Sequence, residues 1–234
     1  MYPISSIKIF VFALMTMSLT ASCISGVSHR LPEKVDPQAR YVFYLHGHIV
    51  EDKGPNATHP QHGAYRYYDL IAAFESHGFI VISEVRPRGT DVQAYAQKVA
   101  DQVRTLLDAG VAPRRITVCG HSKGGLITLY AAAELRNPKI NYVSLAGCGK
   151  KGTDFFPGYK RFLDEEAANV RGRFLSVVDI AADDISGSCS KIGKFKGVAE
   201  FKELNLNTGK GHGLFYRPDS RWVNPVVEWI NAAK

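Results

Sequence analysis

The stretch of sequence that decides the fold is ITVCGHSKGG, residues 116–125. Its first four residues form a short run rich in β-branched side chains, which is typical of a strand buried on both faces. The residues from Gly124 to Leu135 are apolar almost throughout, which predicts a buried helix. In the turn between them, Gly120, Ser122 and Gly124 fit the pattern G-x-S-x-G. Side chains two positions from a serine in so sharp a turn would collide, and the glycines remove those collisions. The pattern therefore predicts a strained turn that presents the Ser122 hydroxyl above a sheet, rather than a plain helix start capped by Ser122.

Outward from this turn, predicted strands and helices alternate along the chain. Similar apolar runs predict strands at 41–45, 79–82, 142–146 and 174–178. Apolar residues at helical spacing predict a helix over 92–107, Asn224-Pro225 predicts the start of a final helix, and 49–62 is expected to be a polar loop. This order predicts a three-layer α/β/α sandwich around a mostly parallel sheet.

Composition is that of a folded domain. The 234 residues are 45% hydrophobic and 22% charged, which excludes wholesale disorder, collagen-like repetition, a coiled coil and a multi-span membrane protein. The formal net charge of +7 does not require a nucleic-acid partner, and we expect none.

The first residues have the pattern of an export signal. Lys8 precedes an apolar run of about 11 residues, which is too short to span a bilayer. Small residues then precede Cys23, as in a bacterial lipobox. We therefore expect a signal peptide over 1–22, an N-terminal segment over 23–40 and one domain over 41–234. The protein would be exported, either secreted or as a periplasmic or outer-membrane lipoprotein whose only membrane attachment is a lipid on Cys23. Ordinary cleavage near Ser22 and a mistaken start codon on a cytosolic protein are the alternatives.

The segment G-H-S-K-G lies in a turn between a predicted strand and a predicted helix. By this motif and its position, residues 41–232 resemble the α/β-hydrolase family. The resemblance implies a serine hydrolase with a compact fold and no cofactor or metal. The interval 147–173 has room for one helix and not for a large cap. The family orders its catalytic residues as serine, acid and histidine.

The resemblance implies partners for Ser122 at definite places. The acid follows the strand 174–178, where Asp183 fits best, Asp184 is the alternative and Asp179 lies too close to the strand. His212 is the histidine that follows the acid, in a glycine-rich loop.

The family's oxyanion hole consists of two backbone N–H groups. Here they belong to Lys123 and to His48, with Ile49 as the alternative to His48. The Lys123 side chain either binds an acidic substrate group or pairs with a carboxylate, and the second is favoured.

The remaining cysteines and lysines have weaker implications. We expect a disulfide between Cys148 and Cys189 that ties the acid loop to the sheet, and a buried free thiol at Cys119. Six lysines flank the same sheet edge and either favour an anionic substrate or form a solvated face: Lys150, Lys151, Lys191, Lys194, Lys196 and Lys210.

The expected reaction is hydrolysis of a carboxylic ester or thioester, of small-molecule or lipid origin, through an acyl-enzyme on Ser122. Two alternatives stay open: a catalytically inactive binding or surface lipoprotein of the same fold, and an acyltransferase with the same residues. The histidines at 46, 48, 59 and 62 lack metal-ligand spacing, so no metal is expected.

Overall fold

A computed structural model describes residues 30–233 of the chain. The signal peptide expected over 1–22 and the lipidation site expected at Cys23 lie outside the described residues. Within 30–233, no helix is both long and apolar enough to cross a membrane.

The centre of the molecule is a six-stranded sheet in which every pair of neighbouring strands is parallel. The strands are β1 (Tyr41–Leu45), β2 (Thr58–His59), β3 (Gly63–Ala64), β4 (Ile80–Ile82), β5 (Ile116–His121), β6 (Asn141–Leu145), β7 (Gly172–Asp179) and β8 (Val198–Leu206). The sheet order is β4-β1-β5-β6-β7-β8, while β2 and β3 form a separate antiparallel pair. Strands β1 and β5 are buried along their whole length because helices cover both faces.

Six α-helices cover the sheet: α1 (His48–Lys53), α2 (Tyr67–Glu75), α3 (Val92–Asp108), α4 (Lys123–Leu135), α5 (Phe156–Glu165) and α6 (Ser220–Asn231). One hydrophobic cluster joins α3, α4 and α5 to one face of the sheet, and a second joins α1, α2 and α6 to the other. The predicted three-layer α/β/α sandwich is therefore confirmed. Between β6 and β7 the chain forms α5 and a short 3-10 turn at Ala167–Asn169, and no large cap.

Two local predictions are wrong. The final helix begins at Ser220 rather than near Pro225, because the side chain of Asp219 caps it by accepting the backbone N–H of Arg221. Pro225 therefore lies inside α6. The segment 49–62 is not a loop throughout, since its first residues belong to α1, where Val50 and Glu51 are buried.

Candidate active site

Ser122 occupies a strained turn between β5 and α4. Its φ is +55°, a value that residues other than glycine rarely adopt. A Cβ atom at Gly120 would lie 2.1 Å from the carbonyl oxygen of Gly124, and one at Gly124 would lie 2.0 Å from that of Leu45. Both glycines are therefore required by backbone contacts, and the turn presents Ser122 at the carboxyl edge of the sheet.

Asp183 and His212 meet at the same edge, from two different loops. His212 Nδ1 lies 3.2 Å from Asp183 Oδ2, and the other oxygen of Asp183 accepts the backbone N–H groups of Ile185 at 3.0 Å and Ser186 at 2.7 Å. The Asp183 side chain is fully buried and that of His212 is 6% exposed. Asp184, the alternative acid, is exposed and makes no hydrogen bond to His212. The geometry thus pairs His212 with Asp183.

Ser186 is a second partner of His212 that the sequence analysis missed. Its Oγ lies 3.1 Å from His212 Nδ1 and donates to the carbonyl oxygen of Ala146 at 2.8 Å. A hydroxyl has one hydrogen, so an Oγ that donates to Ala146 can only accept from His212. The Nδ1 atom must therefore carry the ring proton, which leaves Nε2 as the basic nitrogen. No sequence pattern marks Ser186, because its partners lie 26 and 40 positions away.

Asp179, at the end of β7, holds the loop that carries His212. Its carboxylate accepts the backbone N–H groups of Thr208, Lys210 and Gly211 at 2.9–3.0 Å, and the Thr208 hydroxyl as well. Burial opposes ionisation of Asp179, but hydrogen bonds from Thr208 and Gly211 outweigh it and hold its pKa below the usual value. Asp179 therefore positions His212 indirectly, a role that sequence analysis did not identify.

Ser122 and His212 line a common cavity of about 280 Å³. Among residues 30–233, Ser122 Oγ has no hydrogen-bond partner, and the bond to His212 is not formed. Catalytic hydrogen bonds are often long in unliganded sites and tighten when substrate binds.

The expected oxyanion donors are the first residues of two helices that meet at the turn. The backbone N–H groups of His48 in α1 and Lys123 in α4 have no intrahelical acceptor, and both stand at positive helix ends. The preceding residue, Gly47, packs against the turn: a Cβ there would lie 3.6 Å from the Cβ of Ser122. The Gly47 N–H also donates to Tyr65 Oη at 3.2 Å, which fixes the loop before His48.

No family model matches the chain, and no curated protein sequence matches it. Solved structures do match. A lipase-esterase related protein from Clostridium acetobutylicum aligns over 86% of this chain and 97% of its own, with a TM-score of 0.51 and 16% identity. Est1E from Butyrivibrio proteoclasticus, solved with ferulic acid, aligns over 86% and 90%, with a TM-score of 0.53 and 12% identity. An acetyl xylan esterase from Paenibacillus sp. R4 aligns over 87% and 77%, with a TM-score of 0.54 and 14% identity.

The chain has the α/β-hydrolase fold. At such low identity the likeness establishes the fold alone, and the site must be argued from its own residues.

In this α/β-hydrolase fold, the Lys123 side chain is held by two acceptors of the protein itself. Its Nζ donates to Glu51 Oε1 and to the carbonyl oxygen of Thr90, both at 2.6 Å. Arg86 also binds the buried Glu51 carboxylate, with Nε at 3.3 Å. The backbone N–H of Arg86 donates to His46 Nε2, and burial lowers the pKa of His46 to about 3, so this imidazole is neutral. Lys123 is thus paired with a carboxylate, the favoured alternative, and the ion pair joins α4 to α1.

Further histidines lie near His212. The rings of His121 and His212 lie 4.8 Å apart, and those of His59 and His62 stack at 4.5 Å. Burial lowers the pKa of His121 well below its usual value, and burial and the neighbouring imidazoles lower that of His62. Within 30–233, no group of at least three His, Cys, Asp or Glu is arranged to hold a metal ion.

A disulfide joins Cys148, after β6, to Cys189, beyond the acid loop. The two loops are also linked by backbone hydrogen bonds, from Gly187 to the Cys148 carbonyl at 2.8 Å and from Lys150 to the Ile185 carbonyl at 2.9 Å. Cys119 is buried with a free thiol. The disulfide therefore anchors the segment that supplies Asp183 and Ser186.

Proposed function

We propose that the protein is a serine hydrolase that cleaves carboxylic esters or thioesters through an acyl-enzyme on Ser122. The observation that carries the proposal is the buried Asp183–His212 pair, which opens on the same cavity as a serine held at positive φ. Such strain persists where the surrounding structure enforces it and clusters at functional sites. The esterases and lipases among the structural neighbours support the same reaction class.

In the proposed mechanism, Ser122 Oγ attacks the acyl carbonyl carbon while His212 Nε2 accepts the hydroxyl proton. The π electrons of the carbonyl move onto its oxygen. The resulting oxyanion accepts hydrogen bonds from the backbone N–H groups of His48 and Lys123. Asp183 and the Ser186 hydroxyl stabilise the imidazolium through its Nδ1–H group. His212 then protonates the leaving alcohol or thiol as the bond to carbon breaks, and water releases the acid by the same steps.

Hydrolysis of methyl and thiol esters by the purified domain tests this proposal. We expect Ser122→Ala and His212→Ala to lower kcat by about 10⁴-fold or more, as losses of a nucleophile or its base do. Ser190→Ala, at an exposed serine that lines neither cavity at Ser122, is the matched control and should keep wild-type activity. Hydrolysis that persists in Ser122→Ala would refute the acyl-enzyme.

An acyltransferase would use the same residues with an alcohol in place of water. Product analysis with and without an acceptor alcohol separates the two: a hydrolase releases free acid in both cases. A binding module would show neither product.

We also propose that the protein is exported, with residues 1–22 removed. The Cys148–Cys189 disulfide supports this proposal because disulfides persist mainly in oxidising compartments. Mass spectrometry of the mature N-terminus tests it: a diacylglyceryl mass on Cys23 identifies the lipoprotein, and an unmodified terminus near that residue indicates plain secretion.

A further inference from the structure

Two cavities of different size meet at Ser122. The larger has a volume of about 690 Å³ and the smaller about 280 Å³. Both are lined by Ser122, His48 and Ile185, so they open on the nucleophile and on one oxyanion donor. His212 lines only the smaller cavity.

The position of His212 assigns each cavity to one half of an ester. Four groups are bonded to the tetrahedral carbon of the intermediate: Oγ of Ser122, the oxyanion oxygen, the leaving oxygen and the first carbon of the acyl chain. Because the leaving oxygen must receive its proton from His212, the alcohol has to lie on the His212 side. The oxyanion points to the N–H groups of His48 and Lys123, so the acyl chain extends into the larger cavity.

Val92, Leu126 and Phe155 give the larger cavity apolar surface, beside glycines and polar side chains. Its volume is within the range of about 300–1,000 Å³ that encloses drug-sized ligands, whereas the smaller cavity is below that range. The acyl side therefore has room for a bulkier group than the alcohol side has.

The charges of the larger cavity disfavour an anionic acyl group. The cation that lines it, Lys123, is bound to Glu51. The carboxylates of Asp154 and Asp184 also line the cavity, and within residues 30–233 neither forms an ion pair. A carboxylate at the far end of an acyl chain would meet these two negative charges, and Lys123, the one lysine or arginine among the described residues that line the cavity, is already paired with Glu51.

We propose that the substrates are esters of a large, apolar acyl group without negative charge and a small alcohol. This inference rests on the proposed serine hydrolase function and adds the substrate class.

A pair of isomeric esters tests the assignment of the cavities. Methyl 4-phenylbutanoate and 3-phenylpropyl acetate have the same atoms, with the bulk on the acyl side in the first and on the alcohol side in the second. We expect kcat/KM to be at least about tenfold higher for methyl 4-phenylbutanoate. Equal rates, or a preference for 3-phenylpropyl acetate, would overturn the assignment.

A variant that fills the larger cavity tests which residues cause the preference. Val92→Trp places an indole in the cavity, and we expect it to lower the ratio of the two kcat/KM values by about tenfold. Gln93→Trp is the matched control, because the neighbouring Gln93 is exposed and does not line the cavity. If both variants leave the ratio unchanged, the larger cavity does not bind the acyl group.

A second pair of substrates tests the effect of a negative charge on the acyl group. Monomethyl suberate carries a terminal carboxylate where methyl 8-methylnonanoate carries an uncharged isopropyl group of similar shape. At pH 8 we expect the neutral ester to be preferred by at least about tenfold, and the double variant Asp154→Asn/Asp184→Asn to reduce that preference. A preference for monomethyl suberate would overturn this part of the proposal.

Failure of this inference and failure of the hydrolase proposal have different signatures. Hydrolysis of both isomers that depends on Ser122, with the wrong preference, overturns only the substrate class. The absence of hydrolysis and of acylated Ser122 overturns both proposals.

Discussion

At the scale of single residues, His212 is held by more than its acid. Asp183 and Ser186 share its Nδ1–H group, and Ser186 is itself fixed by the Ala146 carbonyl and by its own N–H bond to Asp183. One serine thus connects the acid, the base and the end of β6.

Replacement of Ser186 tests its role in positioning the imidazole. We expect Ser186→Ala to lower kcat by about 10- to 100-fold with little change in KM, because a hydrogen bond to a charged group contributes about 1.5–3 kcal/mol. Asp183 still accepts from the Nδ1–H group in this variant, so the tautomer should not change. Ser186→Thr keeps a hydroxyl at the position and should recover most of the activity that Ser186→Ala loses, which a loss of packing alone would not explain. An unchanged kcat in Ser186→Ala would contradict the role.

Asp183 and Asp184 offer a matched pair of variants. We expect Asp183→Asn to lower kcat by about 10⁴-fold, because an amide neither stabilises the imidazolium nor enforces the tautomer. Asp184→Asn should retain more than a tenth of the activity on a neutral ester, since its side chain does not contact His212. The reverse order of effects would assign the acid to Asp184.

At the scale of elements, loops that are fixed by buried contacts carry the site. Gly211 shows how tight these contacts are: its φ is +55°, and a Cβ there would lie 2.2 Å from the carbonyl oxygen of Ala182. The His212 loop and the acid loop therefore touch backbone to backbone, and Asp179 anchors the first of them.

The lowered pKa of Asp179 predicts how the stability of this loop depends on pH. A carboxyl whose pKa is lower in the folded state stabilises the fold above its unfolded pKa of about 4, and that contribution is lost as the pH falls through the folded value. We expect Asp179→Asn to lower the free energy of unfolding at pH 7 and the difference from wild type to shrink below pH 4. Chemical denaturation of wild type and variant at pH 7 and below pH 4 measures this difference. A difference that grows in acid would contradict the assignment.

Loss of the Cys148–Cys189 disulfide should loosen the acid loop. The bridge spans 41 positions, for which chain entropy gives a stabilisation of about 4 kcal/mol. We expect the double variant Cys148→Ala/Cys189→Ala, and reduced wild type, to have a lower Tm and a lower kcat. A reductant should have no further effect on the double variant. An unchanged kcat after reduction would show that hydrogen bonds alone hold the loop.

At the scale of the whole molecule, the parts that sequence predicts are those governed by local patterns. The buried parallel strands appear as continuous apolar runs, and the turn at Ser122 appears in its glycines. The start of α6 was mispredicted because two capping signals compete, and the Asp219 cap prevails over Asn224-Pro225. Glu51, Asp179 and Ser186 were not found because their partners lie 26–72 positions away, where no spacing rule reaches.

The central claim is that Ser122 is a nucleophile activated by His212. The most direct test is to treat the purified mature protein with a fluorophosphonate and to map the adduct by peptide mass spectrometry. We expect an adduct on Ser122 in wild type and in Ser190→Ala, and none in Ser122→Ala or His212→Ala. A folded wild-type protein without an adduct on Ser122 would contradict the account.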